Sequence, residues 1–143
     1  LLARQRRIAV PPVQHGGQHQ RGECRSQQHQ RHRHVPEGDE GEDLVAQYYQ
    51  NQGYTLIERK YTIKWWELDL IFQKNDILTF VEVKVVDYID ELHDYVTPKK
   101  LGHVKHTIEY YLLEHPTNNE YVLDIVFVRD NSILDIYKNV TNT

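Results

Sequence analysis

Apolar positions from residue 37 onward change their period along the chain, and each change marks an element. Val45, Tyr48 and Tyr49 recur at helical spacing behind an acid-rich start and ahead of Gly53, which predicts a helix from Asp39 to about Gln52. Runs of β-branched and aromatic residues then predict strands at Tyr54 to Tyr61, about Trp65 to Gln73, and Ile77 to Val86. Thr97-Pro98 offers an N-cap and an N1 proline to a second helix reaching about Glu114, with Leu101, Val104, Ile108 and Leu112 on one face. Tyr121 to Val128 is apolar on both faces apart from Asp124, as in a covered central strand. Asp130-Asn131 turns the chain into a last strand, Ile133 to Tyr137, and the end is expected to fray. The order α-β-β-β-α-β-β predicts an α/β fold, a mixed β-sheet flanked by helices.

The second and third strands carry charge where a covered sheet has no use for it. Lys74-Asn75-Asp76 separates them, so a tight hairpin is expected. Alternation puts Glu67 and Asp69 on one face of the first strand, with Leu68, Leu70 and Phe72 on the other; Glu82 and Lys84 share a face with Leu78 and Phe80. With an even loop length Asp69 stands opposite Glu82 and Glu67 opposite Lys84; an odd length puts the two sets on opposite faces. In the even register two carboxylates lie roughly 5 Å apart at Cβ and repel, so a divalent cation, Lys84 or open solvent must compensate.

Charge is distributed unevenly over the 143 residues. Residues 1–36 hold seven Arg, no Lys and one acid (Glu23), a net of +6; the remaining ten bases and twenty acids leave residues 37–143 at −10. The tail is rich in Gln, His and Arg without an apolar period, and is expected to be disordered and not native to the domain that follows. Its histidines (His15, His19, His29, His32, His34) are expected to be solvated. An acidic domain argues against a general nucleic-acid glove, so any basic footprint must be local. The start of the second helix, with Lys99, Lys100 and Lys105 beside His103 and His106, is the most basic patch in the domain. Cys24 is the only cysteine, which excludes an internal disulfide and suggests a reducing compartment. No apolar run approaches the ~20 residues needed to span a bilayer, and a cytoplasmic protein is expected.

A carboxylate pair on adjacent strands, with a lysine two residues along the same face, is the equipment of metal-dependent phosphodiester hydrolysis. Mg²⁺ (or Mn²⁺) prefers oxygen ligands, which Asp69 and Glu82 would supply. Lys84 would orient the water or neutralise charge growing on the phosphate. Glu42 projects from the edge of the first helix's apolar stripe towards the sheet and would support them. The competing reading is a solvated strand pair with a Glu67–Lys84 salt bridge worth about 0 to 1 kcal/mol. Trp65 and Trp66 read either as packed aromatics or as base-stacking residues at the site mouth. Tyr110 and Tyr111 read as exposed residues that could serve a homodimer interface.

Gly41-Glu42-Asp43-Leu44 with Ala46, then Gly53-Tyr54, Glu67-Leu68-Asp69-Leu70-Ile71, Phe80-Val81-Glu82-Val83-Lys84 and Val96-Thr97-Pro98-Lys99-Lys100 resemble, in order and spacing, the YraN-like family of small bacterial proteins. The resemblance covers about residues 38 to 137. It implies a restriction-endonuclease-like core of the PD-(D/E)xK nuclease superfamily, similar to Holliday-junction resolvases. It also implies that Glu42, Asp69, Glu82 and Lys84 are the helix Glu, the two metal carboxylates and the catalytic Lys. The chain departs from the pattern at Trp66, where Gly is usual, at Val86, where Arg is usual, and in lacking a glycine in the loop that follows. The expected function is a metal-dependent endonuclease acting on structured or branched DNA, with Lys99, Lys100 and Lys105 as nucleic-acid contacts. The alternative is a non-catalytic nuclease-fold module that binds nucleic acid or a DNA-repair partner.

Overall fold

Every predicted element forms within two residues of its expected bounds. In the computed structural model, which describes residues 37–87 and 96–140, the order is α1 (Glu37–Asn51), β1 (Thr55–Ile63), β2 (Trp66–Lys74), β3 (Ile77–Val85), α2 (Pro98–Glu114), β4 (Glu120–Arg129) and β5 (Ser132–Tyr137). The tail at 1–36, most of the polar loop before α2 and the chain end lie outside the described residues.

Local chemistry fixes where the elements stop and turn. Beyond α1, Tyr54 N–H donates to the Tyr49 carbonyl at 3.1 Å and Gly53 N–H to that of Gln50 at 3.0 Å, a Schellman closure. Gly53 sits at φ +90, where a side chain is strained, so Gly53→Ala costs about 1 kcal/mol. Thr97 accepts the Lys100 N–H at 3.3 Å through its hydroxyl, and Pro98 opens α2, as expected. Asp130 and Asn131 both have positive φ (48 and 57) between the paired Arg129 and Ser132, the requirement of a two-residue type I′ hairpin.

The sheet runs β1-β2-β3-β4-β5. Neighbours are antiparallel except β3 and β4, which are parallel because α2 crosses over between them. One layer packs Val45, Ala46 and Tyr49 of α1 against Leu70, Phe72, Val81, Val126, Val128 and Ile136. The other packs Leu101, Ile108 and Tyr111 of α2 against Tyr61, Leu68, Ile71, Phe80, Leu123 and Phe127. β4 is therefore covered on both faces, as its composition predicts, and each fully buried Leu, Val or Phe contributes about 1.5–3 kcal/mol. Among the described residues no helix is long and apolar enough to cross a membrane.

Three expectations are corrected. Leu68 does not share a face with Leu70 and Phe72: it faces α2, whereas they face α1. The cause is a break in alternation where Lys60 (φ +52) and Asp69 drop out of the β1–β2 pairing, separate from the bulge between Leu56 and Glu58. Tyr111 is buried against Tyr61 and Phe80 rather than exposed beside Tyr110, because the buried stripe of α2 is Leu101, Thr107, Ile108 and Tyr111, with Val104 and Leu112 only flanking it. Trp65 is not packed at all: it is 91% exposed at the turn between β1 and β2.

Candidate active site

The hairpin has the even register. Lys74 pairs with Ile77 across Asn75-Asp76, and the ladder continues in step to Leu70 and Val81. Asn75 takes the left-handed φ of +55, which its side chain tolerates better than most. One residue further on, where Asp69 would meet Glu82, the β2–β3 pairing ends; β2 continues against β1 and β3 against β4. The side chains take over from the ladder. Asp69 N–H donates to Glu82 Oε1 at 3.4 Å, and Val83 N–H donates to Asp69 Oδ2 at 2.7 Å. Each carboxylate thus occupies a main-chain donor of the opposite strand, which fixes both acids in the opening.

α1 brings the third acid. Its approach is close at Gly41, where an added Cβ would lie 3.3 Å from Val85 Cγ2, so that the valine would have to give by a few tenths of an ångström. Glu42 is therefore carried down to the sheet and is only 7% exposed. Its Oε2 is buried with no hydrogen-bond partner. Carboxylate oxygens of Glu42, Glu67 and Asp69 all lie within 4.8 Å of one another. Burial pushes Glu42 up to about 7, aided by the Asp69 charge. Burial likewise pushes Glu82 up to about 8, again with Asp69 adding and Lys84 opposing. Asp69 is also raised by burial, against the pull of the Val83 N–H and the Lys84 charge. These acids are held where their charged forms are under-compensated.

Nearby cations fall short of neutralising them. Lys84 Nζ lies 3.5 Å from Glu82 Oε2. Arg59 is 3.9 Å from the unpartnered Glu42 oxygen, but its tight contact, 2.6 Å, is with Asp43. Lys60 is directed to Asp39. The expected pairing of Glu67 with Lys84 is corrected: Glu67 faces Thr62 across β1, whose hydroxyl lies 3.3 Å from it, and joins the Glu42 and Asp69 group because the β2–β3 ladder has opened there.

Glu82 and Lys84 open onto the α2 side, into a cleft of about 250 Å³ lined also by Lys100, Leu101, His103, Val104 and Ile125. Of the three lysines expected to meet nucleic acid, Lys100 lines this cleft; Lys99 is exposed and Lys105 half-buried on the same helix start. Trp66 packs its ring on His103 and His106 at 5.0 and 4.9 Å, closing one end of that surface.

The donor set fits a hard divalent cation: it is all oxygen, partly dehydrated, over-supplied with negative charge and left with one buried oxygen unused. Glu42 and Asp69 are in place to share such an ion with Glu67 at the rim. Glu82 sits across the opening, with one oxygen committed to the Asp69 N–H. Sequence reasoning missed Arg59 and Asp43, whose pairing joins β1 to α1 beside Glu42; no local pattern marks a contact between residues 16 apart in different elements.

The comparisons agree with the resemblance carried by these motifs. The family profile described as "Uncharacterised protein family UPF0102" matches residues 41–128, a span that holds Glu42, Asp69, Glu82 and Lys84. A UPF0102 protein of Campylobacter lari is 34% identical over 96 residues, covering 67% of this chain and 86% of that protein. One from Campylobacter fetus is 33% identical over 96 residues, with the same coverage, and one from Helicobacter pylori is 28% identical over 109 residues, covering 76% of this chain and 94% of the relative. The chain belongs to the UPF0102 family, the YraN-like family its motifs resemble.

Proposed function

We propose that this protein is a metal-dependent endonuclease with a restriction-endonuclease-like core of the PD-(D/E)xK type, hydrolysing phosphodiester bonds in structured or branched DNA. The observation that carries the reading is the opening in the sheet: Asp69 and Glu82 clasp each other's strands where the ladder stops, with Lys84 beside them and the unpartnered oxygen of Glu42 arriving from α1.

Asp69 and Glu82, with Glu42 in support, would hold Mg²⁺ or Mn²⁺. Such an ion polarises a phosphate and acidifies a water. The residues do the rest. The clasp between Asp69 and Val83 keeps the carboxylates fixed, so little reorganisation is needed as charge develops. The Lys84 ammonium, half exposed at the mouth, orients the attacking water and faces the charge growing on the phosphate. Lys99, Lys100 and Lys105 on the start of α2 give an acidic domain its local footprint for the phosphodiester backbone. A homodimer would cut two strands symmetrically.

The test is cleavage of labelled branched and linear DNA by the full-length chain, with Mg²⁺ or Mn²⁺ against EDTA. Asp69→Ala is expected to lower the rate at least ~10³-fold, and Lys84→Ala about 10²–10³-fold, in proportion to the loss of one preorganised charge. Cleavage that survives EDTA, or that is untouched in both variants, would sink the enzyme reading. DNA binding without cleavage under every metal condition would leave the binding module in its place.

A further inference from the structure

Trp65 is the most exposed large apolar side chain among the described residues, and its position has a consistent chemistry. Ile63 pairs with Trp66, so Lys64 and Trp65 are the two central residues of the β1–β2 turn. Asn-Gly or Gly-Asn form such turns without strain. Here the first position is a lysine at φ +47, a conformation that costs a non-glycine residue about 1 kcal/mol or more. The turn therefore gives up intrinsic stability to present a cation and an indole at its tip. An indole that could bury about 150–250 Å² is left in water.

The tip is joined to the candidate active site by a short path of contacts. Trp66 rests on His103 and His106 of α2, and His103 lines the cleft that contains Glu82, Lys84 and Lys100. Trp66 thus borders the cleft through His103, and Trp65 is the next residue towards the tip. A strand lying along the cleft with its phosphates towards Lys84 and Lys100 would therefore continue onto the β1–β2 turn. A base in an intact duplex is already stacked on both faces and offers nothing to a single exposed ring, whereas an unpaired base has a free face.

We infer that Trp65 is a stacking platform for an unpaired nucleobase of the DNA substrate, with Lys64 on the adjoining phosphate. The inference rests on the proposed nucleic-acid substrate and narrows it to DNA with a single-stranded segment beside the scissile bond. It is independent of whether the bond is cut.

The chain has only two tryptophans, which makes the platform directly observable. In full-length Trp66→Phe, Trp65 is the sole indole. Its emission is titrated with a 12-nucleotide oligodeoxythymidine and with a blunt duplex of equal length, in EDTA at low salt. Quenching by the single strand and not by the duplex is expected. Trp65→Ala should weaken binding of the single strand about 5- to 150-fold, the usual effect of losing one stacked base, and Trp65→Phe should recover part of it. Equal quenching by the duplex, or single-strand affinity within twofold of wild type in Trp65→Ala, overturns the inference. So does an emission shift that depends on protein concentration alone with a matching change in sedimentation, which would make Trp65 a self-association contact. Asp69→Asn is expected to remove cleavage and leave the quenching, whereas a wild-type protein that shows the quenching but cleaves no DNA in Mg²⁺ or Mn²⁺ discards the nuclease and keeps the platform.

Discussion

Among the buried acids of the described residues, Asp124 on β4 and the cluster between β2 and β3 are treated in opposite ways. Asp124 on β4 is 1% exposed, and both of its oxygens are used. Oδ2 accepts the Tyr49 hydroxyl at 2.7 Å and faces Lys138 Nζ at 3.2 Å, while Oδ1 accepts the Asn139 N–H at 2.9 Å. Burial and the neighbouring Asp124 charge hold the Tyr49 phenol well above its ordinary range, in its donating form. The group is one acid, one cation and two neutral donors. In the opening between β2 and β3, Glu42, Asp69 and Glu82 gather with Glu67 at the rim, yet Lys84 is their nearest cation and Arg59 is tied to Asp43. One fold thus contains a neutralised buried carboxylate and a cluster in which acids outnumber the cations beside them. An uncompensated buried charge costs several kcal/mol, and in the cluster a proton held on Glu42 or Glu82, whose pKa values burial raises, or the proposed cation would meet that cost.

Four measurements test that contrast. The largest effect is on catalysis: Asp69→Asn is expected to abolish cleavage, ~10³-fold or more, while Asp124→Asn leaves the rate of the folded protein within about tenfold, read by single-turnover assays. Equal losses would erase the distinction between a site and a strut. Next comes stability. Asp124→Ala strands Lys138 and the Tyr49 hydroxyl and should cost about 3 kcal/mol, a drop of roughly 10–20 °C in Tm by circular dichroism. Glu42→Gln removes a buried charge that faces only Arg59 at 3.9 Å and should leave metal-free stability at pH 8 unchanged or higher. The reverse ranking would show that Glu42 is the strut.

A smaller effect is expected from pH and metal together. Glu42 titrates near its ordinary 4.5 when unfolded and near 7 when folded, so the folded, metal-free protein holds the additional proton. The contribution of Glu42 to stability is then fully present below pH 4.5 and is lost as pH rises towards 7, with that of Glu82 lost towards 8. Mg²⁺ displaces those protons, so at tenfold its Kd it should raise Tm by roughly 5–10 °C at pH 8 and by much less at pH 5. The Asp124 variant should retain this response and Asp69→Asn should lose it; a metal response of the same size at both pH values would separate the ion from these carboxylates. Smallest is Glu67→Gln, which sits exposed at the rim and should weaken metal binding by no more than about tenfold, measured by calorimetry.

Much of this was readable before any coordinates. The end of α1 at Gly53, the Thr97-Pro98 start of α2 and the Asp130-Asn131 turn follow from residues adjacent in the chain. Hairpin parity was left open between an even and an odd loop, and the pairing of Lys74 with Ile77 chose the even one, bringing Asp69 towards Glu82. The acids of the cluster were legible because charge on a covered strand is conspicuous. What misled was everything that depends on a break in regularity. Leu68 was placed with Leu70 by strict alternation, which Lys60 and Asp69 interrupt. Glu67 was given to Lys84 by extending a ladder that stops at Leu70 and Val81. Trp65 and Trp66 are identical neighbours in sequence, yet one lies on α2 and the other in water, because only one of them falls inside the strand.

By itself, then, the sequence determined the elements, their order and the identity of the candidate acids, all of which rest on periodicity and short-range turn chemistry, while the parity of the central hairpin was decided by the structure. The tertiary structure alone decided which acids are compensated. That depends on whether a cation or donor from a distant segment, such as Lys138 for Asp124, reaches the carboxylate, and on whether a ladder hydrogen bond is made or left to a side chain. Those outcomes turn on distances of a few ångströms between segments dozens of residues apart, where the cost of an unpaired charge is largest.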